Sequence, residues 1–469
     1  MPDLRRVHLI GICGTAMATL AAMLKSRGFD VRGSDQHVYP PMSEFLAEQR
    51  VTALEGYEPE HISADLDLVI VGNAISRGNP ELEEVLDRKI PYCSLPEAIR
   101  DHFLWRSRSI VITGTHGKTT TTALAGWVLT DGHADPSVFI GGIAENFGGS
   151  YRIGGGRDFV IEGDEYDSAF FDKTAKFLKY LPDIGVVNNI EYDHADIYPD
   201  LESIRVAFRR FVNLIPRRGL LLVCADDPEA RALTPLARCR VETFGLADGA
   251  DWQAHDLRAT AMSTSFSLRR SGQPAGEFQL PLLGTHNVRN ALAAAAIGAA
   301  VGISPEAIAQ ALGAFKGVRR RMQLRGVERG VAVYDDFAHH PTAIAETLSG
   351  VRRAHPDARI WAIFEPRSAT SCRRIFQGDF ARAFGAADRI IVPAVFRSTL
   401  PEEQRLSVEH LVADLQAAGK HARYIPQVDD IVRAVAAEAQ PGDLVIAMSN
   451  GGFEDIHRKL LEAIAASSR

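Results

Sequence analysis

The sequence predicts an α/β protein of three units built on parallel sheets, and three observations predict it. Short apolar runs alternate with helical stretches along the whole chain, the pattern of strands joined by crossover helices. The alternation restarts near residues 107 and 321, which gives units over 1–107, 108–320 and 321–469. At 469 residues the chain is also longer than one hydrophobic core serves.

Each element follows from its own composition. RVHLIGI reads as a strand, a glycine turn follows it, and AMATLAAMLKSRG reads as a helix that stops at Gly28. FDVRGSD and DLDLVIVGNAI supply further strands of the first unit. The second unit opens with an apolar strand over 110–113, which runs into a glycine loop and then a helix from Thr119 or Thr120. Strands are expected in DFVIEGDEYD, DIGVVNNIEYDH and GLLLVCADD, and the alanine-rich helix NVRNALAAAAIGAAVG closes the unit. The third unit restarts with GVAVYDDF. ARIWAIFEP, DRIIVPAV and GDLVIAMSNGG are its later strands, with SVEHLVADLQAAG among its helices.

Composition narrows the class. A net charge of −7 argues against nucleic acid as a partner, because phosphate-backbone binding needs a basic surface. The local run VRRRMQLR suits a small phosphorylated ligand instead. Five scattered cysteines, Cys13, Cys93, Cys224, Cys239 and Cys372, form no C-x-x-C pair and fit a reducing cytoplasm. Arg5 and Arg6 before VHLIGICGTAMATLAAML imitate a targeting segment, but His8, Gly11, Gly14, Thr15 and Thr19 interrupt it. No membrane insertion is expected.

The stretch VITGTHGKTTTTALAG carries the first chemistry. A phosphate loop of the form G-x-x-x-x-G-K-[ST] wants glycine at position 112, where this chain has Ile112, and its glycine comes at Gly114. The parts a phosphate needs are nonetheless present. Gly114 and Gly117 let backbone N–H groups approach, Lys118 supplies a point charge, and Thr119 offers a hydroxyl to Mg²⁺. A helix beginning just after aims its positive end at the same place. Two acidic clusters follow at strand ends: Glu162, Asp164, Glu165 and Asp167, then Glu191, Asp193, His194 and Asp196. Oxygen ligands with one imidazole suit Mg²⁺ rather than zinc. Near the start, GICGTAM is a degraded G-x-G-x-x-G, with Asp35 about 20 residues on, where dinucleotide folds place a ribose-binding acid. A nicotinamide oxidoreductase and a nucleotide-switched binding protein are the rival classes on these residues.

GTHGKTTT, EGDEYD, NNIEYDHAD, GTHNVRNALAA, GVRRRMQ and VYDDFAHHP occur in the order and spacing of the Mur ligase family, and the resemblance spans essentially the whole chain. These are ATP-dependent amide-forming enzymes of peptidoglycan assembly. The resemblance implies a Rossmann-like N-terminal domain, a P-loop ATPase-like central domain, and a Rossmann-like C-terminal domain that binds the amine and closes on ATP. The family's loop is G-T-x-G-K-T, which accounts for Ile112. It implies ATP contacts from Gly114, Thr115, His116, Gly117, Lys118, Thr119 and Thr120, from Asn287 and Asn290 facing the adenine, and from Arg321 and Asp336. Thr119 and Glu165 would hold one Mg²⁺ and His194 a second. Lys118, Glu165, His194, Arg321, Asp336 and His339 form the implied catalytic set, with His194 and His339 both candidates to help deprotonate the amine. Some relatives carry a carbamylated lysine after the histidine; this chain has no lysine from Ala195 to Gly219, and Arg209 and Arg210 occupy the region.

In the muramate-binding members the N-terminal turn holds the diphosphate of a UDP-sugar, which assigns Gly11, Cys13, Gly14, Thr15, Ala16, Met17, Ser34 and Asp35 to that ligand. GICGTAM, GSDQHVYPPMS, DDFAHHPTAI, FEPRSAT and AMSNGGFEDIH together resemble the branch that joins UDP-N-acetylmuramate to the recycled tripeptide L-alanyl-γ-D-glutamyl-meso-diaminopimelate. The neighbouring branch takes free L-alanine and is the alternative. Arg367, Ser368, Asn450 and Gly451 are the expected tripeptide anchors, an arginine fork beside a backbone nest. A monomer or weak homodimer is expected.

Overall fold

Strands covered on both faces must be apolar, and the short runs LVIV, LLLVC, IWAIF and LVIAM of the sequence are such strands in the structure. The computed structural model describes residues 5–40, 42–396 and 400–467. The chain divides into two units, one of Met1–Glu191, Glu202–Trp252 and Ala293–Ile308, the other of Tyr192–Leu201, Gln253–Leu292 and Ala309–Arg469.

The first unit holds two parallel sheets. One runs in the order Thr52–Glu55, Asp30–Asp35, Arg6–Ile10, Leu68–Val71, Tyr92–Ser94, every pairing parallel. The strand order reverses on either side of Arg6–Ile10, and such switch points leave a crevice at the strands' C-terminal ends. Helix Thr15–Ser26 follows that strand and buries every residue from Met17 to Leu24. Ile10, Val69, Val71, Leu82 and Val85 form a separate core beneath helix Pro80–Asp87.

In the second sheet the first unit's strands run Arg240–Gly245, Leu220–Cys224, Ile184–Val187, Arg108–Thr113, Asp158–Glu162, Ser137–Ala144, Gly149–Arg152. All pair in parallel except the last two. Arg108–Thr113 is central, and Ile110, Val111 and Ile112 are wholly buried. The ensuing helix spans Lys118–Asp131, starting a residue or two before the expected Thr119 or Thr120.

The second unit is built on a six-stranded sheet, Gln323–Glu328, Val331–Asp336, Leu444–Met448, Ile360–Phe364, Arg389–Val392, His421–Tyr424. Only the first pair is antiparallel. Apolar side chains alternate to the two faces and build a core on each. The sequence reading missed an antiparallel hairpin, Thr264–Arg270 with Gln273–Leu280. Its signal was local: alternating residues around Ser271-Gly272, both with positive φ as a tight hairpin turn requires. Among the described residues no helix is long and apolar enough to cross a membrane.

Candidate functional site

The loop after the central strand is held by the next strand end rather than by itself. Thr115 N–H donates to the Asn189 carbonyl at 3.0 Å, and His116 N–H donates to Asn189 Oδ1 at 2.7 Å. Gly114 sits at φ +135°, and a Cβ there would lie 2.9 Å from Asn188 Cβ and 3.1 Å from Asn189 N. The chain needs glycine at 114 because it turns against Asn188 at that point, whereas Ile112 is still inside the strand. Lys118 Nζ donates to the Gly114 carbonyl at 2.7 Å and the Thr115 carbonyl at 3.2 Å, and pairs with Glu165 at 2.8 Å. Burial opposes the lysine's charge, but Glu165, Asp164 and Glu162 outweigh it and hold the ammonium above its ordinary value. An ammonium kept charged at a helix N-terminus is what a phosphate requires.

Thr119 Oγ1 donates to Glu162 Oε1 at 2.9 Å, and Gly141 N–H donates to Glu162 Oε2 at 2.7 Å. Glu162 is buried enough that desolvation raises its pKa. Sequence reasoning placed Glu162 in an acidic cluster without giving it a role. The missing signal was register: Ile112 pairs with Glu162, so that carboxylate emerges where the loop begins. Thr119, Glu162 and Glu165 thus offer hard oxygen donors around Lys118, the chemistry of a Mg²⁺ site. Thr120 is buried in the helix.

At the first sheet, Gly11 N–H and Ile12 N–H both donate to the Ser34 carbonyl, at 2.8 and 3.0 Å. Cys13 N–H donates to Asp35 Oδ2 at 2.8 Å. The turn is therefore pinned to the GSD segment on both its sides. Gly14, Thr15 and Ala16 are exposed at the start of helix Thr15–Ser26, whose N-cap has no side-chain bond. Met17 and Ser34 point into the core, 5% and 0% exposed. Burial and Asp35 push the Cys13 thiol up to about 11, so it is a neutral lining group.

In the second unit Asp336 ends its strand buried, accepting from Met322 N–H and Ala338 N–H, each at 2.8 Å. Burial raises its pKa against the pull of Arg321. The Arg321 guanidinium lies over the Phe337 ring, 4.8 Å from its centre. Asn287 and Asn290 are a turn apart on one helix: Asn290 Nδ2 donates to Asn287 Oδ1 at 3.1 Å, and Asn287 Nδ2 to the Leu283 carbonyl at 2.8 Å. His194 and His339 both act on Asp193, which the sequence reading placed in an acidic cluster without a role of its own. Burial works to raise the pKa of Asp193, yet His194, His339, His340 and a Thr370 hydrogen bond hold it far below the carboxylate range. His339 Nδ1 donates to the Phe337 carbonyl at 2.9 Å. His340 is occupied otherwise, capping helix Pro341–Ala354 and bonding the Tyr192 carbonyl at 3.2 Å.

Of the expected tripeptide anchors, Arg367 and Gly451 lie together. The Arg367 guanidinium stacks 3.7 Å from the Phe396 ring centre and fills the space a side chain at Gly451 would need. Glu365 Oε1 is 3.8 Å from Arg367 Nη1. Arg320 Nη2 donates to the Ser449 and Gly451 carbonyls at 2.6 and 2.7 Å, which fixes the SNGG segment. Ser368 instead bonds Ser371, Oγ to Oγ at 2.9 Å. Asn450 Oδ1 is buried without a hydrogen-bond partner among the described residues.

Comparison with known proteins places the chain in a family. Family models match in order: Mur ligase family, catalytic domain, at residues 6–104; Mur ligase middle domain at 112–298; Mur ligase, glutamate ligase domain, at 320–451. The UDP-N-acetylmuramate–L-alanyl-γ-D-glutamyl-meso-2,6-diaminoheptandioate ligase of Escherichia coli (strain K12) is 40% identical over 462 residues, 98% of each chain. The UDP-N-acetylmuramate–L-alanine ligase of Solibacter usitatus (strain Ellin6076) is 36% identical over 468 residues, 99% of this chain and 96% of its own. A solved murein peptide ligase from Psychrobacter arcticus 273-4 superposes with a TM-score of 0.73 at 34% identity, covering 99% of this chain and 100% of its own. With all three domain matches in sequence and 40% identity along nearly its full length, the chain belongs to the Mur ligase family.

Proposed function

We propose that this chain joins the lactyl carboxylate of UDP-N-acetylmuramate to the α-amine of L-alanyl-γ-D-glutamyl-meso-diaminopimelate at the expense of ATP, in peptidoglycan recycling. The observation that carries the acceptor is the Arg367 guanidinium packed against Gly451 and facing Glu365. A peptide brings several carboxylates and N–H groups to such a site, whereas free alanine brings one carboxylate and a methyl group. The 40% identity to the Escherichia coli enzyme supports the same choice. Free L-alanine is the second reading, favoured by the 36% relative.

A carboxylate resists attack by an amine because its leaving group would be oxide. Attack of the carboxylate oxygen on the γ-phosphorus releases ADP and leaves an acyl phosphate. The amine nitrogen then bonds the acyl carbon, loses a proton, and inorganic phosphate departs. Charge grows on phosphoryl oxygens and then on the acyl oxygen, so fixed cations and oriented N–H groups do most of the work. We assign the γ-phosphate to Lys118 and to the loop amides from Gly114 to Thr120, with Lys118 exchanging its Glu165 contact for the phosphate. Thr119 and Glu165, with Glu162 behind them, would hold one Mg²⁺ and His194 a second; bound ions would neutralise phosphate charge. Arg321, Asp336, Asn287 and Asn290 are the second unit's nucleotide residues. His194 and His339, both of which act electrostatically on Asp193, are the two candidates to take the amine proton, His339 alone where His194 holds the second ion. Gly11, Cys13, Gly14, Thr15, Ala16, Met17, Ser34 and Asp35 are assigned to the UDP-sugar, with Met17 and Ser34 acting from beneath the turn. Functional domains of 1–107, 108–320 and 321–469, action as a monomer or weak homodimer, and a cytoplasmic setting suited to five free cysteines complete the proposal.

Phosphate release with ATP and UDP-N-acetylmuramate, supplied with either tripeptide or L-alanine, tests it. The tripeptide is expected to drive turnover and alanine to leave it near background. Faster release with alanine would transfer the chain to the second reading.

A further inference from the structure

Beneath the sugar turn lies a buried carboxylate that the reaction does not use. Glu81, in the first turn of helix Pro80–Asp87, is 0% exposed, and so are His8 and Ser34 beside it. Its two oxygens accept from four donors. Oε2 takes the Ser34 hydroxyl and His8 Nε2 at 3.2 Å, and Oε1 takes His61 Nδ1 at 2.7 Å and Glu58 N–H at 3.4 Å. These donors come from two strands, a short helix and its lead-in, so the carboxylate ties helix Pro80–Asp87 to strands Arg6–Ile10 and Asp30–Asp35 and to the 58–61 segment. Burial opposes its charge, but His8, Ser34 and His61 hold it ionised.

A buried charge is expensive unless something requires it, and apolar packing would serve stability as well. What this charge fixes is Ser34. The Ser34 hydroxyl is committed to Glu81, and the Ser34 carbonyl accepts both Gly11 N–H and Ile12 N–H. The next residue, Asp35, accepts Cys13 N–H. A chain of hydrogen bonds therefore runs from Glu81 through Ser34 to the backbone of the turn, and Glu81 sets where the amides after Gly11 stand.

We infer that Glu81 is a positioning residue for the sugar nucleotide: through the Ser34 hydroxyl it holds the Gly11–Ala16 turn in the geometry that receives the diphosphate. This rests on the reading of that turn as the UDP-sugar site. Glu81 touches no substrate itself, and its effect belongs to sugar-nucleotide binding alone.

The test is a double-mutant cycle on the full-length enzyme, with Glu81→Gln, Ser34→Ala and the pair. Each single change is expected to raise the KM for UDP-N-acetylmuramate about tenfold, roughly the worth of one hydrogen bond to a buried charge. The kcat and the KM for ATP should stay within about twofold. Because both act through one bond, the pair should be no worse than the poorer single variant. Multiplying effects, an unchanged KM in both singles, or a fall in kcat alongside an equal rise in the KM for ATP would each overturn the inference. Asp35→Asn separates it from the reading beneath. If Asp35→Asn raises the UDP-sugar KM and Glu81→Gln does not, only the positioning role fails. If Asp35→Asn leaves that KM unchanged, the turn is not the sugar site and the inference falls with it.

Discussion

Moving a glycine into or out of the phosphate loop separates backbone geometry from motif. In Gly114→Ala the added Cβ would sit 2.9 Å from Asn188 Cβ and 3.1 Å from Asn189 N, at φ +135°. The backbone strain alone is worth about 1–3 kcal/mol. Crowding against packed atoms adds about 1–3 kcal/mol more. The expected loss is therefore about 2–6 kcal/mol, against total stabilities of about 5–15 kcal/mol for natural domains. Relief of that strain must move the loop off Asn189, which releases Thr115 and His116 and carries the Lys118 contact with the Gly114 carbonyl along. Thermal unfolding and ATP-dependent phosphate release measure both consequences. The melting temperature should fall by at least about 4 °C, at about 2 °C or more per kcal/mol for units of this size, and the KM for ATP should rise. The converse change, Ile112→Gly, restores the glycine of the commoner motif but empties a wholly buried strand position. It should destabilise by more than about 2 kcal/mol, as core truncations do, and bring no gain in ATP affinity. A Gly114→Ala enzyme that melts like the parent with an unchanged KM for ATP would refute the reasoning. So would an Ile112→Gly enzyme that binds ATP more tightly.

Three further outcomes are expected. Lys118→Ala should lower kcat by about a hundredfold or more, the usual cost of one preorganised charge in a reacting site, with the fold retained by circular dichroism; a loss under about tenfold would remove the lysine from the phosphate's path. Arg367→Ala should raise the KM for the tripeptide while leaving those for ATP and UDP-N-acetylmuramate alone, and an unchanged tripeptide KM would end the anchor assignment. Glu346 accepts from Arg289 at 3.1 Å and Thr285 at 3.3 Å. Although burial opposes it, His286 and Arg289 bring its pKa down to about 2. A depressed carboxyl stabilises the fold above its unfolded value, about 4.3, and loses that contribution as pH falls toward 2. Melting temperature should thus drop more steeply between pH 5 and pH 3 in the parent than in Glu346→Gln, and parallel curves would contradict the assignment.

What could be read without coordinates was what repeats locally. Apolar runs such as Ile110–Thr113 and Leu444–Met448 are strands because both faces of a parallel sheet are covered, and composition alone reveals that. The loop glycines, Lys118 and the family's ordered motifs were legible because phosphate chemistry needs them close together in the chain. The hairpin around Ser271-Gly272 had a weaker local signal, since its strands carry polar and charged residues on much of their exposed face and a register shift between Leu268 and Arg269 breaks their alternation.

The remainder depends on distances along the chain that no local rule spans. Glu162 meets Thr119 because Asp158–Glu162 pairs beside Arg108–Thr113 in one particular register. Glu81 meets Ser34 and His8 only after a helix has crossed the sheet, 47 and 73 residues from its partners. Arg320 grips Gly451 from 131 residues away. The sequence by itself determined the α/β class, the phosphate loop and the ligase family, since these rest on short-range patterning and contiguous motifs. Tertiary structure decided which acid answers which donor, because burial makes each polar group find a partner and only the packed chain determines which one lies in reach.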